Sequence, residues 1–259
     1  MDHSVEFNRN AWDRIAKSSK WFSPVSDETI ERAAAGDFEI RLTATKSVPR
    51  DWIGDVRGKR VLALAAGGGN QAVILAAAGA RVTVVDFSAE QLEFDRSIAE
   101  RFQFNLETVQ CDMSSMTTLD DASFDLIVNP CSVNFVPDCK PVWKEAARVL
   151  RPGGTFVAGT IQPVNFLFDA VARDKGKLKV RFRIPYSDLQ LPDEERDATL
   201  GPERPIDFGH SLSDLIGGQL EAGLVLTHLL EDSWGGDDPL REYISTFLLT
   251  AAVKPLPCL

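Results

Sequence analysis

Ala65-Ala66-Gly67-Gly68-Gly69-Asn70-Gln71 is a turn made almost wholly of residues without bulk. Such a turn lets the main chain approach a ligand closely and aim amide groups at it. Gly67 to Ala72 also fits the G-x-G-x-x-G/A dinucleotide pattern. Its structural alternative is a small-residue turn that packs a helix on a sheet. Asp86 ends the next β-branched run, where a carboxylate can accept hydrogen bonds from two ribose hydroxyls or act as a helix-entry acid beside a capping Ser88. Asp112, within Cys111-Asp112-Met113, can accept from an adenine amino group while Met113 covers the ring face; otherwise it is a solvated loop acid. Phe124-Asp125-Leu126-Ile127-Val128-Asn129-Pro130 follows, then Arg148-Val149-Leu150-Arg151-Pro152-Gly153-Gly154.

These residues need a scaffold that gathers them at one edge, and the chain supplies the pattern for one. Apolar runs at Arg60–Ala65, Arg81–Asp86, Leu106–Cys111, Phe124–Val128 and Thr155–Ala158 read as strands. They alternate with helical stretches at Asn70–Ala78, Ser88–Glu100 and Val142–Leu150. Ser88 and Gln91 fit a capping box. Arg151 to Gly154 reads as a tight turn before the fifth strand. The alternation implies an α/β fold, a doubly wound and mostly parallel sheet with helices on both faces, whose carboxyl edge binds ligands. Before it, Asn10 is expected to cap a helix bearing Trp12, Ile15 and Ala16, and Ser26 one over Asp27–Ala35. After Thr160 the pattern changes. Lys177–Ile184 reads as an exposed strand or hairpin arm and Leu191–Pro205 as a loop. A helix over Ser211–Ala222 and strands over Leu224–Leu230 and Ser245–Val253 complete the reading. We therefore expect one domain over 1–259: an N-terminal lid (1–57), a ligand-binding core (58–160), an inserted flap (161–208) and the C-terminal half of the core (209–259).

Composition bounds the function. The net charge of −10 and pI near 4.9 argue against nucleic acid and anionic membranes as partners, although a local basic stretch such as Lys175 to Arg183 is present. Hydrophobic residues make up 44% and charged residues 25%, an ordinary globular balance. No apolar run is long enough to span a bilayer. Met1 to Asn10 lacks a basic region followed by an apolar stretch, so a cytoplasmic location is expected. Cys111, Cys131, Cys139 and Cys258 form no CxxC pair, and His3, His210 and His228 are scattered, so no metal site is expected.

In order and spacing, the glycine loop, Asp86, Cys111-Asp112-Met113, the Phe-Asp-Leu-Ile-Val strand and the Arg-Val-Leu-Arg-Pro-Gly-Gly segment resemble the class I S-adenosylmethionine-dependent methyltransferases, over about residues 58–160. The resemblance implies a seven-stranded Rossmann-like sheet whose last strand runs antiparallel, and S-adenosylmethionine as cofactor. It also implies that Asp86 holds the ribose, Asp112 the adenine, and the glycine loop (Ala65, Gly67, Gly69) with Asn129 the methionine part. Phe87, Gln91 and Met113 are placed in the same site. The family's usual acid in the first strand is Ala63 here, and its usual first glycine is Ala65. Gln71, Asn129, Ser132 or a residue of the N-terminal lid then becomes the candidate holder of the cofactor's ammonium.

Methyl transfer is an in-line displacement at a sulfonium carbon, governed mainly by alignment and exclusion of water, with a general base where the nucleophile carries a proton. His210, just before Ser211 at a helix start, is the candidate base. Tyr186 and Asn134 are candidates for orienting the substrate. Each has a plain alternative: a loop histidine, a packing tyrosine and a turn asparagine. Trp12, Trp21 and Phe22 can close over the cofactor and attract its sulfonium through their ring faces, or simply pack; Trp52 and Trp143 are expected in the core. The leading expectation is a methyltransferase acting on a small molecule, in secondary metabolism. The alternatives are cyclisation of the cofactor to azetidine-2-carboxylate and methylthioadenosine, an NAD-dependent oxidoreductase, and a non-catalytic binding module.

Overall fold

A computed structural model describes residues 3–18, 24–201 and 204–257. Seven strands form the main sheet: β1 (Arg60–Leu64), β2 (Arg81–Asp86), β3 (Leu106–Gln110), β4 (Phe124–Asn129), β5 (Leu150–Ile161), β6 (Val225–Asp232) and β7 (Phe247–Val253). Their spatial order is β3-β2-β1-β4-β5-β7-β6. β1 to β5 pair in parallel, and β7 is antiparallel to both β5 and β6. β1 is buried on both faces, as a central parallel strand must be. Val61 and Ala63 face one core with Val82, Val84, Leu126 and Val128; Leu62 and Leu64 face the other with Val85, Ile127, Trp143 and Phe156. This period-two division splits the core into two layers beneath helices.

The helices packed about the sheet include α1 (His3–Ser18), α2 (Asp27–Ala34), α3 (Gln71–Ala77), α4 (Ala89–Phe102) and α5 (Lys140–Val149). α3 is buried from Ala72 to Ala77 because Ala, Val, Ile and Leu fill that stretch. Ser88 caps α4 by accepting from the Gln91 amide at 3.1 Å, while the Gln91 side-chain oxygen has no partner, so the reciprocal half of the capping box is not made. Trp143 of α5 is fully buried; Trp52 is half-buried and stacks on His228 with centroids 5.0 Å apart.

Several expectations are corrected. Asn10 lies inside α1 and does not cap it. The helix begins at His3, about two turns earlier, because Ser4, Asn8 and Ala11 already form its buried stripe. Arg151 to Gly154 is part of β5 and not a turn before it. Gly153, at φ 74°, donates to the Lys254 carbonyl at 2.8 Å, so the chain beyond β7 captures this stretch as strand. Lys177–Ile184 forms no strand; Val180 alone bridges Phe168, and Arg181 and Phe182 both donate to the Leu167 carbonyl. The pairing falls later, where Tyr186–Ser187 meets Phe208–Gly209 in antiparallel register. Leu191–Pro205 contains a helix, Asp193–Leu200, whose first turn holds Asp193, Glu194 and Glu195, acids that favour a helix start. The stretch Ser211–Ala222 opens as a wide π turn, Ser213–Gly217, before Gly218–Glu221. Gly218 lies so close to Trp143 that a Cβ there would sit 2.7 Å from the indole.

The segment between α2 and β1 crosses the carboxyl edge of β4 and β5. The Leu42 carbonyl accepts from the Cys131 amide at 3.2 Å. It also lies where a side chain on Gly159 would be, 1.9 Å from an ideal Cβ. Asp232, at the end of β6, fastens this segment by accepting from Thr43 Oγ1 at 2.8 Å, the Thr45 amide at 2.7 Å and the Lys46 amide at 2.9 Å. Burial opposes its charge, but these donors outweigh burial and hold its carboxyl well below the usual carboxylate range. No helix among the described residues is long and apolar enough to cross a membrane.

Candidate functional site

The carboxyl ends of β1 and β2, neighbours in the sheet, deliver a backbone loop and a carboxylate to the same place. The Ala65 amide continues the strand pairing to the Val85 carbonyl at 2.7 Å. Ala65 then turns to φ 47°, the left-handed region where an alanine is strained by about 1–2 kcal/mol. Gly68 (φ 114°) and Gly69 (φ 73°) complete the reversal into α3. Gly67 needs its hydrogen for a different reason: a Cβ would lie 2.9 Å from Gln91 Cβ and 3.1 Å from Asp86 Oδ2.

Two buried carboxylates support this loop. Asp86 accepts from the Gly67 amide at 3.1 Å and from the Ser88 amide at 3.0 Å. Burial pushes its carboxyl up to about 6 against the pull of those amides. Asp95 of α4 accepts from the Gly68 amide at 2.6 Å, and burial pushes it up to about 7. Sequence reasoning missed Asp95. Its signal is an acid at a helix position between buried Leu92 and Ile98, where only a partner for a main-chain amide explains a carboxylate. Asp13 of α1 was missed too; it accepts from Ser88 Oγ at 2.6 Å, joining α1 to the start of α4.

Between these elements lies a mostly apolar cavity of about 280 Å³. Of the residues picked out in the sequence, Trp12, Ala65, Gly67, Gln71, Asp86, Phe87, Gln91, Asp112, Met113 and Ser132 line it. Ile15, Cys111, Cys131, Phe135 and Val136 join them. Trp12 meets Phe135 edge-on, with centroids 5.1 Å apart. Asp112 Oδ1 is occupied by the amide and hydroxyl of Ser114, both at 2.8 Å. Cys111 is a free thiol raised to about 11, chiefly by burial, and Cys131 is raised further, so neither is a thiolate near neutral pH.

Two positions stand apart from the cavity wall. Gly69 turns away, toward Ile98 and Pro24. Asn129 spends its amide on the Leu64 carbonyl and Ser132 Oγ, each at 2.8 Å, and so braces the wall from behind. Gln71 donates to the Arg41 carbonyl at 2.8 Å. Trp21, Phe22 and Cys258 lie outside the described residues.

His210, Tyr186 and Asn134 do not line this cavity, but all three converge behind its wall at 132–136. His210 Nε2 is 2.9 Å from the Val133 carbonyl. Asn134 donates to Asp207 Oδ1 at 2.6 Å. The Asp207 amide donates to Asp188 Oδ2 at 2.7 Å, and the Tyr186 hydroxyl to Asp188 Oδ1 at 2.8 Å. Asn8 of α1 reaches the same wall, donating to the Phe135 carbonyl at 2.9 Å and the Ile206 carbonyl at 3.0 Å and accepting from the Ile206 amide at 2.7 Å. No cluster of three or more metal-ligating side chains occurs among the described residues.

The cavity fits a nucleoside with a zwitterionic tail. Asp86 suits ribose hydroxyls. The apolar walls around Phe87 and Met113 suit a base. The buried Gln91 Oε1, without a partner among the described residues, offers an acceptor to a ligand hydroxyl or amine.

A methyltransferase-domain family matches residues 62–158. Over 256 residues the chain is 43% identical to an uncharacterized methyltransferase, YbaJ, of Bacillus subtilis (strain 168), covering 98% of this chain and all (100%) of that one. Among solved structures, an S-adenosylmethionine-dependent methyltransferase from Mesorhizobium loti superposes with TM-score 0.62 at 19% identity, covering 79% of this chain and 94% of the other. A 1,6-didemethyltoxoflavin-N1-methyltransferase from Burkholderia thailandensis, solved with bound 1,6-didemethyltoxoflavin and S-adenosylhomocysteine, superposes with TM-score 0.59 at 16% identity over 97% of this chain and 89% of that one. At these identities the solved structures speak for the fold alone.

Proposed function

The chain belongs to the class I S-adenosylmethionine-dependent methyltransferases, and we propose that it moves the methyl group to a small-molecule acceptor. The observation that carries this reading is the meeting of the glycine loop with Asp86 at one partly enclosed, largely apolar cavity. Such a cavity suits a compact ligand better than a polymer. The acidic chain, with its net charge of −10, supports the same reading against nucleic acid.

S-adenosylmethionine supplies a methyl carbon already activated by its sulfonium. The residues of this chain have three tasks. Asp86 receives the ribose hydroxyls, and the Gly67 amide holds that carboxylate in place. Met113 and Phe87 flank the base, with Asp112 at its edge. Trp12, Ile15 and Phe135 close the cavity from the α1 side and exclude water, so that the acceptor competes with little else for the methyl group. Ser132 and Gln71 stand at the wall where the methionine ammonium needs acceptors in place of the acid that Ala63 replaces.

The test incubates the protein with S-adenosylmethionine, alone and with a small-molecule panel, and follows products by mass spectrometry. S-adenosylhomocysteine formed only with an acceptor, and lost in Asp86→Ala, is the expected result. Methylthioadenosine with azetidine-2-carboxylate from the cofactor alone would overturn the reading.

A further inference from the structure

A second cavity of about 200 Å³ lies on the other side of the 132–136 wall, beneath 161–208. Aromatic rings form much of it: Phe166, Phe168, Phe182, Tyr186 and Trp234. Tyr186 packs between Phe166, at 5.6 Å and nearly parallel, and Phe182, at 4.9 Å. Four carboxylates line it with these rings, Asp169, Asp188, Glu195 and Asp207.

The charges around this cavity are unevenly matched. Arg173 is taken by Asp238 at 2.6 Å, and Arg181 by Asp169 at 3.1 Å and Glu195 at 2.5 Å. Arg204, exposed, reaches Asp207 at 3.4 Å. Asp188 has only 3% of its surface exposed and no cation within 4.0 Å among the described residues. Its two oxygens are held by the Tyr186 hydroxyl and the Asp207 amide, which fix the carboxylate without neutralising it. A buried carboxylate left unmatched is expensive, whereas rings beside carboxylates form a favourable setting for an organic cation.

We propose that this second cavity is a separate binding site and that it takes a primary or secondary amine carried on an apolar or aromatic body. The amine enters as its ammonium form, with Asp188 as counter-ion and the rings around the body. Asp207 lies one hydrogen bond from Asn134, whose neighbours Ser132, Phe135 and Val136 line the cofactor cavity, so the site borders the one assigned above to S-adenosylmethionine.

The test uses the full chain saturated with S-adenosylhomocysteine and titrates three matched probes by calorimetry: 2-phenylethylamine, 2-phenylethanol and phenylacetate. The expected result is an amine bound about tenfold or more tighter than the alcohol, with the carboxylate weakest. Asp188→Asn is expected to remove the preference while S-adenosylhomocysteine affinity stays unchanged. Tyr186→Phe, which keeps the ring and the carboxylate, retains the preference. An alcohol or carboxylate bound as tightly as the amine, no binding of any probe, or a preference that survives Asp188→Asn overturns the inference. The wild-type comparison decides even if a variant fails to fold. Failure of the wild type to bind S-adenosylhomocysteine would instead overturn the functional reading above.

Discussion

Asp86 is a carboxyl whose protonation controls its usefulness, and its burial brings the titration into an accessible range. With the carboxyl at about 6 in the free protein, roughly nine-tenths of it is protonated at pH 5 and about 1% at pH 8. Only the carboxylate can accept from both ribose hydroxyls while still receiving the Gly67 and Ser88 amides. If binding requires that form, the Kd for S-adenosylhomocysteine rises about tenfold from pH 8 to pH 5, or about 1.4 kcal/mol. Asp86→Asn binds more weakly throughout but carries no such titration. The ratio of variant to wild-type Kd therefore shrinks about tenfold over the same window. Asp95, raised to about 7 chiefly by burial and only in smaller part by the Asp86 charge, titrates in both proteins and largely cancels from the ratio. Folding responds with the opposite sign. A buried carboxyl with a raised value favours the folded state most while protonated, below about pH 4, and that contribution is lost as pH rises through about 6. Isothermal titration at pH 5, 6, 7 and 8 is the assay. A variant-to-wild-type ratio that stays flat would refute the reasoning, since Asp86 would then be either ionised throughout or irrelevant to the ligand.

Gly67→Ala places a methyl 2.9 Å from Gln91 Cβ and 3.1 Å from Asp86 Oδ2. The overpacking costs about 1–3 kcal/mol, and the displaced carboxylate weakens S-adenosylhomocysteine binding about tenfold or more, read by calorimetry beside a thermal melt. Asn8→Ala removes two buried hydrogen bonds and one part-buried one, those to the Ile206 and Phe135 main chain. The expected loss is about 2–4 kcal/mol in a denaturant titration, with faster amide exchange in α1; unchanged exchange there would show that α1 is held by other contacts.

The core sheet was readable because its physics is local. Leu62 and Leu64 alternate with Val61 and Ala63, Ser88 announces α4, and Asp86 and Gly67 sit at strand ends where the topology brings them together. What escaped reading depends on distant partners. Nothing near Arg151 says that the chain past β7 will capture it into a strand, since the bond is to Lys254. Nothing near Leu191 announces the helix except three acids that equally suit a loop. Asn10 looked like a cap because it precedes the apolar face of Trp12, Ile15 and Ala16, but the buried stripe that fixes α1 runs through Asn8, whose partners lie at Phe135 and Ile206. Asp95 and Asp13 were invisible for the same reason: a helical acid reads as solvated unless its amide or hydroxyl partner is known. His210 and Tyr186 were noticed for their chemistry, yet their places are set by the pairing of Tyr186 with Gly209 and by the Val133 carbonyl.

The Asp232 fastening bears on how this molecule comes into being. The Asp232 carboxylate lies 187 residues after the Thr45 amide that it holds. The segment over the carboxyl edge of β4 and β5 therefore has no anchor at that end until nearly the whole chain has been synthesised. Asn8 waits still longer in proportion, for Ile206, 198 residues on. Contacts of such separation form late, because the intervening chain must already be ordered. On the ribosome, β1 to β4 can pair while the cofactor cavity still stands open to water. A nascent chain stalled before β6 would present the carboxyl edge of β4 and β5 with Thr43, Thr45 and Lys46 still unfastened.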